Sequence, residues 1–384
     1  MKRLHIYVLA ACILASCQVS SAQNGRFVVF GAGKHGYIDE KGTLVVPIGL
    51  EQTYVIDFSE GLAAFSRRVE PASGKSMYVD DKGKFHIFPR EKWGFIDAQG
   101  KVVVVARFDA VREFSEDLAA VGFDTDKAVY NCSDCETDRR WGFIDKEGQM
   151  VIQPQYHNAS SFSEGLAAVR NDAGKWGYIN TQGAVVIPFL FEVARDFRQG
   201  LAVAAVDDKK CGYIDKSGSF VIKPRFSVAG DFSDGLAAVR VGGKTSFMVI
   251  GPAGGRWSFI KRDGSTKIKL PKDVEAVSDF SQGLAVISDR KGRCGYMTTA
   301  GVQAIPMHFT GCESFSEGLA DVESSGKWQY IDKVGRVILT VPYSEVHPFK
   351  HGLAAVEEGS VGRRQKFGYI DKSGNEVWTP REAL

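Results

Sequence analysis

The chain is poor in the features that usually announce a function. Of its seven cysteines only five lie beyond residue 22, too few for a disulfide-built scaffold in 384 residues. Beyond residue 22 no apolar run approaches the roughly 20 residues a membrane helix needs, so the body reads as soluble. Charge of one sign is also missing. Without Lys2 and Arg3 the remaining basic residues balance the 46 acidic ones, and no basic block is visible. Counterion-release affinity for nucleic acid therefore has no source. The seven histidines are scattered; His347 and His351 are four apart, but Pro348 and Gly352 deny them a shared helical face. Gly251-Pro252-Ala253-Gly254-Gly255 matches no phosphate cradle and reads as a loop tip.

What is present is repetition. A phrase close to Phe-Ser-Glu-Gly-Leu-Ala-Ala-Val starts at Phe58, Phe114, Phe162, Phe197, Phe232, Phe280, Phe315 and Phe349. A second phrase, Trp-Gly-Tyr-Ile-Asp in full form, alternates with it at Trp93, Trp141, Trp176, Trp257 and Trp328, and in degenerate form at His35, Cys211, Cys294 and Phe367. The regular spacing is 35 residues, as from Phe162 to Phe197. A fixed period of this length signals a tandem array of one supersecondary unit, which behaves as one continuous body.

Within the unit from Gly165 to Phe197, Leu166-Ala167-Ala168-Val169, Trp176-Gly177-Tyr178-Ile179 and Val185-Val186-Ile187-Pro188 read as short strands separated by glycine-containing turns. The second turn recurs as Asp-Lys-Ser-Gly at Asp215 and Asp371, with Asp capping and Gly at positive φ. Proline after the third strand (Pro47, Pro154, Pro188, Pro224, Pro306) ends pairing there. Helical signals are weak; Glu113 to Ala120 and Glu192 to Ala204 could hold a turn or two. The expectation is an all-β fold, a tandem array of about nine three-stranded antiparallel meanders over residues 26–384. An open, curved, solenoid-like array is favoured because both terminal units look complete in one phase and nine exceeds the usual 4 to 8 blades of a propeller, the alternative being a propeller-like ring.

The rhythm breaks in three places. An extra hairpin, Tyr78 to Phe85, lies between Phe58 and Phe114, and the repeats starting at Phe114 and Phe232 run to 48 residues, with insertions at 122–140 and 241–256. Insertions at one phase of a repeat project from one face, often the binding one.

The alternation of Lys-Trp-Gly-Tyr-Ile with Phe-Ser-Glu-Gly-Leu-Ala resembles the bacterial WG-repeat (KWG) family, from about residue 26 to the end. The resemblance implies a β-rich repeat protein, commonly exported or surface-associated, and carries no catalytic residues over. Several copies depart from the pattern: Cys211 and Cys294 replace Trp, while Gln329 and Ser258 replace Gly.

Residues 1–22 have the order of a secretory signal: Lys2 and Arg3, an apolar run from Ile6 to Leu14, then small residues. Leu14-Ala15-Ser16-Cys17 looks like a lipobox, favouring cleavage before Cys17 and its lipidation; Ser20-Ser21-Ala22 offers an alternative cleavage before Gln23. The expected location is the cell envelope, as an outer-membrane lipoprotein or a periplasmic or surface protein, with the lipid anchor as its membrane attachment.

Cys132-Ser133-Asp134-Cys135 lies in the first insertion, and a disulfide between Cys132 and Cys135 is favoured over metal or redox chemistry because no further ligands stand at zinc spacing. Cys211 and Cys294, in the tryptophan slot, read as core residues, and Cys211, Cys294 and Cys312 all as solitary. The recurring Glu60, Glu116, Glu164 and Glu317 suggest a glycosidase pair, but a catalytic pair is needed once and these recur with every turn. The five tryptophans read as core in preference to a sugar-stacking ladder. The expected function is a binding or scaffold surface for a protein partner, without catalysis, cofactor, metal or nucleic acid. A glycan- or peptidoglycan-binding module is the alternative, and a hydrolase with its site on the repeat loops a more distant one.

Overall fold

A computed structural model describes residues 25–31, 34–50, 54–69, 77–79, 85–87, 90–124, 139–207, 209–243, 254–359 and 366–382. Among these residues there is no α-helix, and the strands group into nine consecutive blades and one separate two-stranded sheet. Blade 1 comprises Phe27–Gly31, Lys34–Ile38 and Leu44–Leu50. Blade 2 runs from Val55–Ser59 to Val102–Phe108, blade 3 from Ala110–Val111 to Met150–Tyr156, and blade 4 from Asn158–Ala159 to Val185–Phe191. Blade 5 spans Val193–Ala194 to Phe220–Phe226, blade 6 Val228–Ala229 to Thr266–Lys269, and blade 7 Val274–Val277 to Gln303–Phe309. Blade 8 runs from Gly311–Cys312 to Val337–Val341 and blade 9 from Glu345–Val346 to Glu376–Glu382.

Two expectations are corrected here. Among the described residues the unit has four strands, not three, in every blade but the first. The extra strand is the innermost. In blades 3 to 6, 8 and 9 its ladder is only two residues long, and it hides in the segment that leads into the Phe-Ser-Glu-Gly phrase. The phrase itself is a hairpin turn. Glu164 and Gly165 both have positive φ (55° and 86°) between Ser163 and Leu166, which pair across it. Two consecutive left-handed residues make the type I′ turn that matches strand twist. The stretches at Glu113 to Ala120 and Glu192 to Ala204 are such hairpins.

Second, the array is a closed ring, a nine-bladed propeller, and not an open solenoid. Each blade's third strand packs an aromatic ring on the next blade's phrase phenylalanine: Tyr178 on Phe197 at 5.0 Å between centroids, Tyr213 on Phe232 at 4.9 Å, Tyr330 on Phe349 at 4.7 Å. The pattern holds at every other consecutive seam, and Tyr369 on Phe27, at 5.3 Å, closes the circle. The Tyr369 hydroxyl donates to the Val28 carbonyl over 2.9 Å. Turn glycines repeat the message. Gly183 lies over Ile152 and Gly218 over Ile187, each on the preceding blade's outer strand, and Gly42 lies over Val377. No blade is shared between the termini; the closing seam is made of side chains, so the phase of the terminal units said nothing about closure.

The apolar runs of the second and third strands follow from this stacking. A blade is covered on both faces by its neighbours, so Leu166–Arg170 is buried along most of its length instead of alternating. The outer strand alternates and exposes Val185 and Val186 to solvent. The glycine after each tryptophan has a separate cause. The outer strand bulges between Ile187, opposite Tyr178, and Phe191, opposite Trp176, and this brings its backbone onto Gly177, where a Cβ would lie 2.7 Å from the Ile187 carbonyl. In blades 6 and 8, where Ser258 and Gln329 replace that glycine, the ladder runs past the site without the shift.

Candidate functional site

Successive strands of a blade run antiparallel, so the connections between second and third strands all emerge on one face of the ring, with the blade-to-blade crossings. The Phe-Ser-Glu-Gly turns and the Asp-Lys-Ser-Gly turns share the other face. The two faces differ in chemistry.

On the turn face the recurring polar groups are occupied. The Glu60 carboxylate accepts from the amides of Glu116 and Asp117 in the next blade (2.8 and 2.9 Å), Glu116 from Gly165 (2.9 Å), Glu164 from Gly200 (2.9 Å) and Glu317 from Gly352 (3.0 Å). Gln199, Asp234 and Gln282 do the same where they replace Glu. The serine hydroxyls form a parallel belt: Ser163 donates to the Phe197 carbonyl over 2.8 Å and Ser281 to that of Phe315 over 2.7 Å. Lysines of the Asp-Lys turns neutralise several of these acids, as Lys372 on Glu317 at 3.0 Å and Lys146 on Glu60 at 3.2 Å. The lysine amine and the turn amide hold Glu317 below the ordinary glutamate range, against the opposing effect of burial. These acids therefore fasten blade to blade. They are not paired across a cleft as glycoside chemistry requires.

The turn aspartates are equally committed: Asp371 Oδ1 accepts from the amides of Ser373 (2.8 Å) and Asn375 (2.9 Å), with Gly374 at φ 82°. The tryptophans sit in the seams. Trp141 and Trp257 are buried, Trp93, Trp176 and Trp328 half-buried, and the indole of Trp257 donates to the Glu275 carbonyl of the next blade. Cys211 is buried and free, as expected of a core residue. Cys294 is not solitary: it bridges to Cys312 on the inner strand of blade 8. Sequence reasoning missed this pair because 18 residues and a blade boundary separate them. The available signal was that Cys312 stands three residues before its phrase phenylalanine, the place that faces the preceding blade's tryptophan slot.

The opposite face carries all three long departures. The blade 2 insertion holds a two-stranded hairpin, Met77–Val79 with Phe85–Ile87, between Leu62–Val69 and Arg90–Asp97. The blade 3 insertion leaves between Ala119–Asp124 and Arg139–Ile144, its root clamped by Arg139 Nε on Asp124 Oδ1 at 2.6 Å. That of blade 6 leaves between Ala237–Val241 and Arg256–Ile260. Cys132, Cys135 and the tip of the blade 6 loop at 244–253 lie outside the described residues, as does Cys17.

The inner strands surround the ring axis; Asp57 lies on one of them, and Glu113, Asp196, Asp231 and Asp279 lie just past theirs, each directly before its phrase phenylalanine. Burial holds Asp231 above the usual carboxylate range, opposed by the Arg195 guanidinium 4.0 Å away. Among the described residues no group of three or more His, Cys, Asp or Glu side chains converges as metal ligands would. His347 pairs with Glu357 at 3.2 Å, and His351 occupies the turn position that is Glu in other blades.

Comparison with known families matches the WG containing repeat over residues 36–67, 93–124, 141–176, 176–209, 212–244, 295–328 and 330–360. No curated protein sequence matches the chain. Among solved structures, BamB from Moraxella catarrhalis aligns over 84% of this chain and 96% of its own, at 10% identity and a TM-score of 0.38. A protein of unknown function from Bacteroides caccae aligns over 58% of this chain and 92% of its own, at 11% identity and a TM-score of 0.27.

Proposed function

The chain belongs to the WG-repeat family, and on that footing we propose that it is a non-catalytic binding scaffold whose partner, a protein, docks on the insertion-bearing face. The observation that carries this reading is the division of labour between the faces. The recurring acids, serines and lysines of one face are spent on blade-to-blade bonds. All three long departures from the repeat leave from the other, two of them on the neighbouring blades 2 and 3. A rigid ring holding adjacent variable loops is a surface on which recognition can be built without disturbing the core.

We further propose export, with the thiol of Cys17 lipidated and the ring held at the cell envelope; several acyl chains on one residue suffice for stable anchoring, at about 0.8 kcal/mol per buried CH₂. The Cys294–Cys312 bridge agrees with an oxidising compartment. Palmitate labelling of the wild type and Cys17→Ala tests this, and equal labelling refutes it.

The test of the docking face replaces residues 125–138 by an Asn-Gly turn, which the close approach of Asp124 and Arg139 allows. In-cell cross-linking with this variant as bait should lose adducts that the wild type forms, while the thermal midpoint stays unchanged. An unchanged adduct pattern refutes the assignment.

A further inference from the structure

Asp321 occupies a place that the fold reserves for an apolar residue. It is the third residue of Leu-Ala-Asp-Val in the second strand of blade 8, where other blades carry Ala64, Ala120, Ala168, Val203, Ala238, Val286 and Ala355. Residues two apart on a strand share a face. Asp321 therefore points with Leu319 into the seam with blade 9, among Tyr330, Val346, Phe349 and Ala354. Its side chain is fully buried (0% exposed), and neither carboxylate oxygen has a hydrogen-bond partner. An ionised carboxylate without a donor is costly in such a place.

The neighbouring titratable groups come from three blades. Glu313, directly after the inner strand of blade 8, donates its amide to the Asp321 carbonyl over 3.0 Å. His347, directly after the inner strand of blade 9, lies close enough to act electrostatically on both acids, and its ring meets Glu357 at 3.2 Å. Glu345 also faces His347. The Tyr330 hydroxyl donates to the His347 carbonyl and that of Tyr296, from blade 7, to the Glu313 carbonyl, so neither is directed at Asp321.

We propose that the seam between blades 8 and 9 is a pH-responsive joint of the ring, closed while Asp321 is protonated and loosened when it ionises. Burial pushes the Asp321 carboxyl up to about 7, with Glu313 adding to the rise and His347 opposing it. Hydrogen bonding to Glu357 raises His347, against burial. The signs agree. A carboxyl raised on folding contributes stability that is complete below its unfolded value, about 4, and is lost as pH climbs to its folded value. A histidine raised on folding likewise loses its contribution as pH rises through its folded value. As pH rises through about 7 Asp321 gains its negative charge, and the loss of the His347 proton at its own raised value acts in the same direction.

The test compares wild type, Asp321→Ala and Asp321→Asn at pH 5.5 and 8.5, by thermal midpoint and by hydrogen exchange corrected for intrinsic rates. Alanine already fits this position in five other blades, and asparagine preserves shape if alanine should fail to fold. The wild type should lose several degrees of midpoint on going to pH 8.5, with faster exchange concentrated in Ala320–Ser324 and Leu353–Glu358. Both variants should flatten the pH dependence and keep these strands protected. A variant that retains the wild-type pH dependence, or a loss of protection spread evenly over all blades, overturns the proposal.

Discussion

The seam between blades 4 and 5 and the one that closes the ring between blades 9 and 1 perform the same task with different parts. The first has everything: Tyr178 against Phe197, the Tyr178 hydroxyl on the Arg195 carbonyl at 2.7 Å, Ser163 on the Phe197 carbonyl, and Glu164 on the Gly200 amide. The closing seam keeps the aromatic pair, the tyrosine bond and the glycine resting on Val377. Among the described residues it shows no turn-to-turn belt. His351 stands where Glu would, and Lys350 replaces the serine and reaches past blade 1 to Asp57 in blade 2 at 3.0 Å. A small recess lined by Gly25, Arg26, Phe27, Asp57, Phe58, Lys350 and His351 marks the place. The apolar layer and the tyrosine are thus common to both seams. The polar belt fixes spacing on one face.

The largest expected effect breaks the comparison at its centre. Phe197→Ala and Phe27→Ala should each cost about 3–5 kcal/mol in denaturant unfolding, because each empties a buried aromatic site. A small effect for Phe27→Ala alone would mean that the closing seam adds little. Next, Gly212→Ala should cost about 1–3 kcal/mol, since its Cβ would lie 2.2 Å from the Ile222 carbonyl, whereas Ser258→Ala in blade 6, where the ladder runs past that position without a shift, should be nearly neutral. Tyr178→Phe and Tyr369→Phe should each cost about 1–2 kcal/mol by leaving a carbonyl without its donor, and matched thermal midpoints for the two would equate the seams. The smallest effect belongs to the belt. Glu164→Gln should change stability by less than about 1 kcal/mol, because Gln199 and Gln282 already serve at the same position, with Glu164→Ala costing more than Glu164→Gln. Equal losses for the two variants would show that the carbonyl-type acceptor is not what matters.

Much of this was legible along the chain. The all-β class, the nine units, the glycine and aspartate of the turns and the core role of Cys211 follow from local chemistry that repeats. The two blades whose Trp-Gly glycine is replaced are the two that lose the bulge, so the departures at Ser258 and Gln329 marked a real change of geometry. The innermost strand escaped notice because its paired segment is short and its sequence varies, from His157-Asn158-Ala159 to Glu345-Val346-His347. The structural purpose of Glu60, Glu116, Glu164 and Glu317 was half visible. Repetition argued against catalysis, but their acceptor role needs the next blade's turn, 36 to 57 residues away for the bonds from Glu60 and Glu164.

By itself the sequence determined most of the unit: three of its four strands, where the chain turns between them, and how many copies follow one another. These depend on dihedral preference and hydrophobic pattern over a handful of residues. Only the tertiary structure decided closure. Whether nine copies end in an open curve or meet depends on the small rotation from blade to blade, set by how side chains fill each seam and summed around the ring. Tyr369 on Phe27 exists because that sum brings the last blade back to the first, whereas the bridge from Cys294 to Cys312 and the unpartnered Asp321 depend on how one seam between consecutive blades is filled.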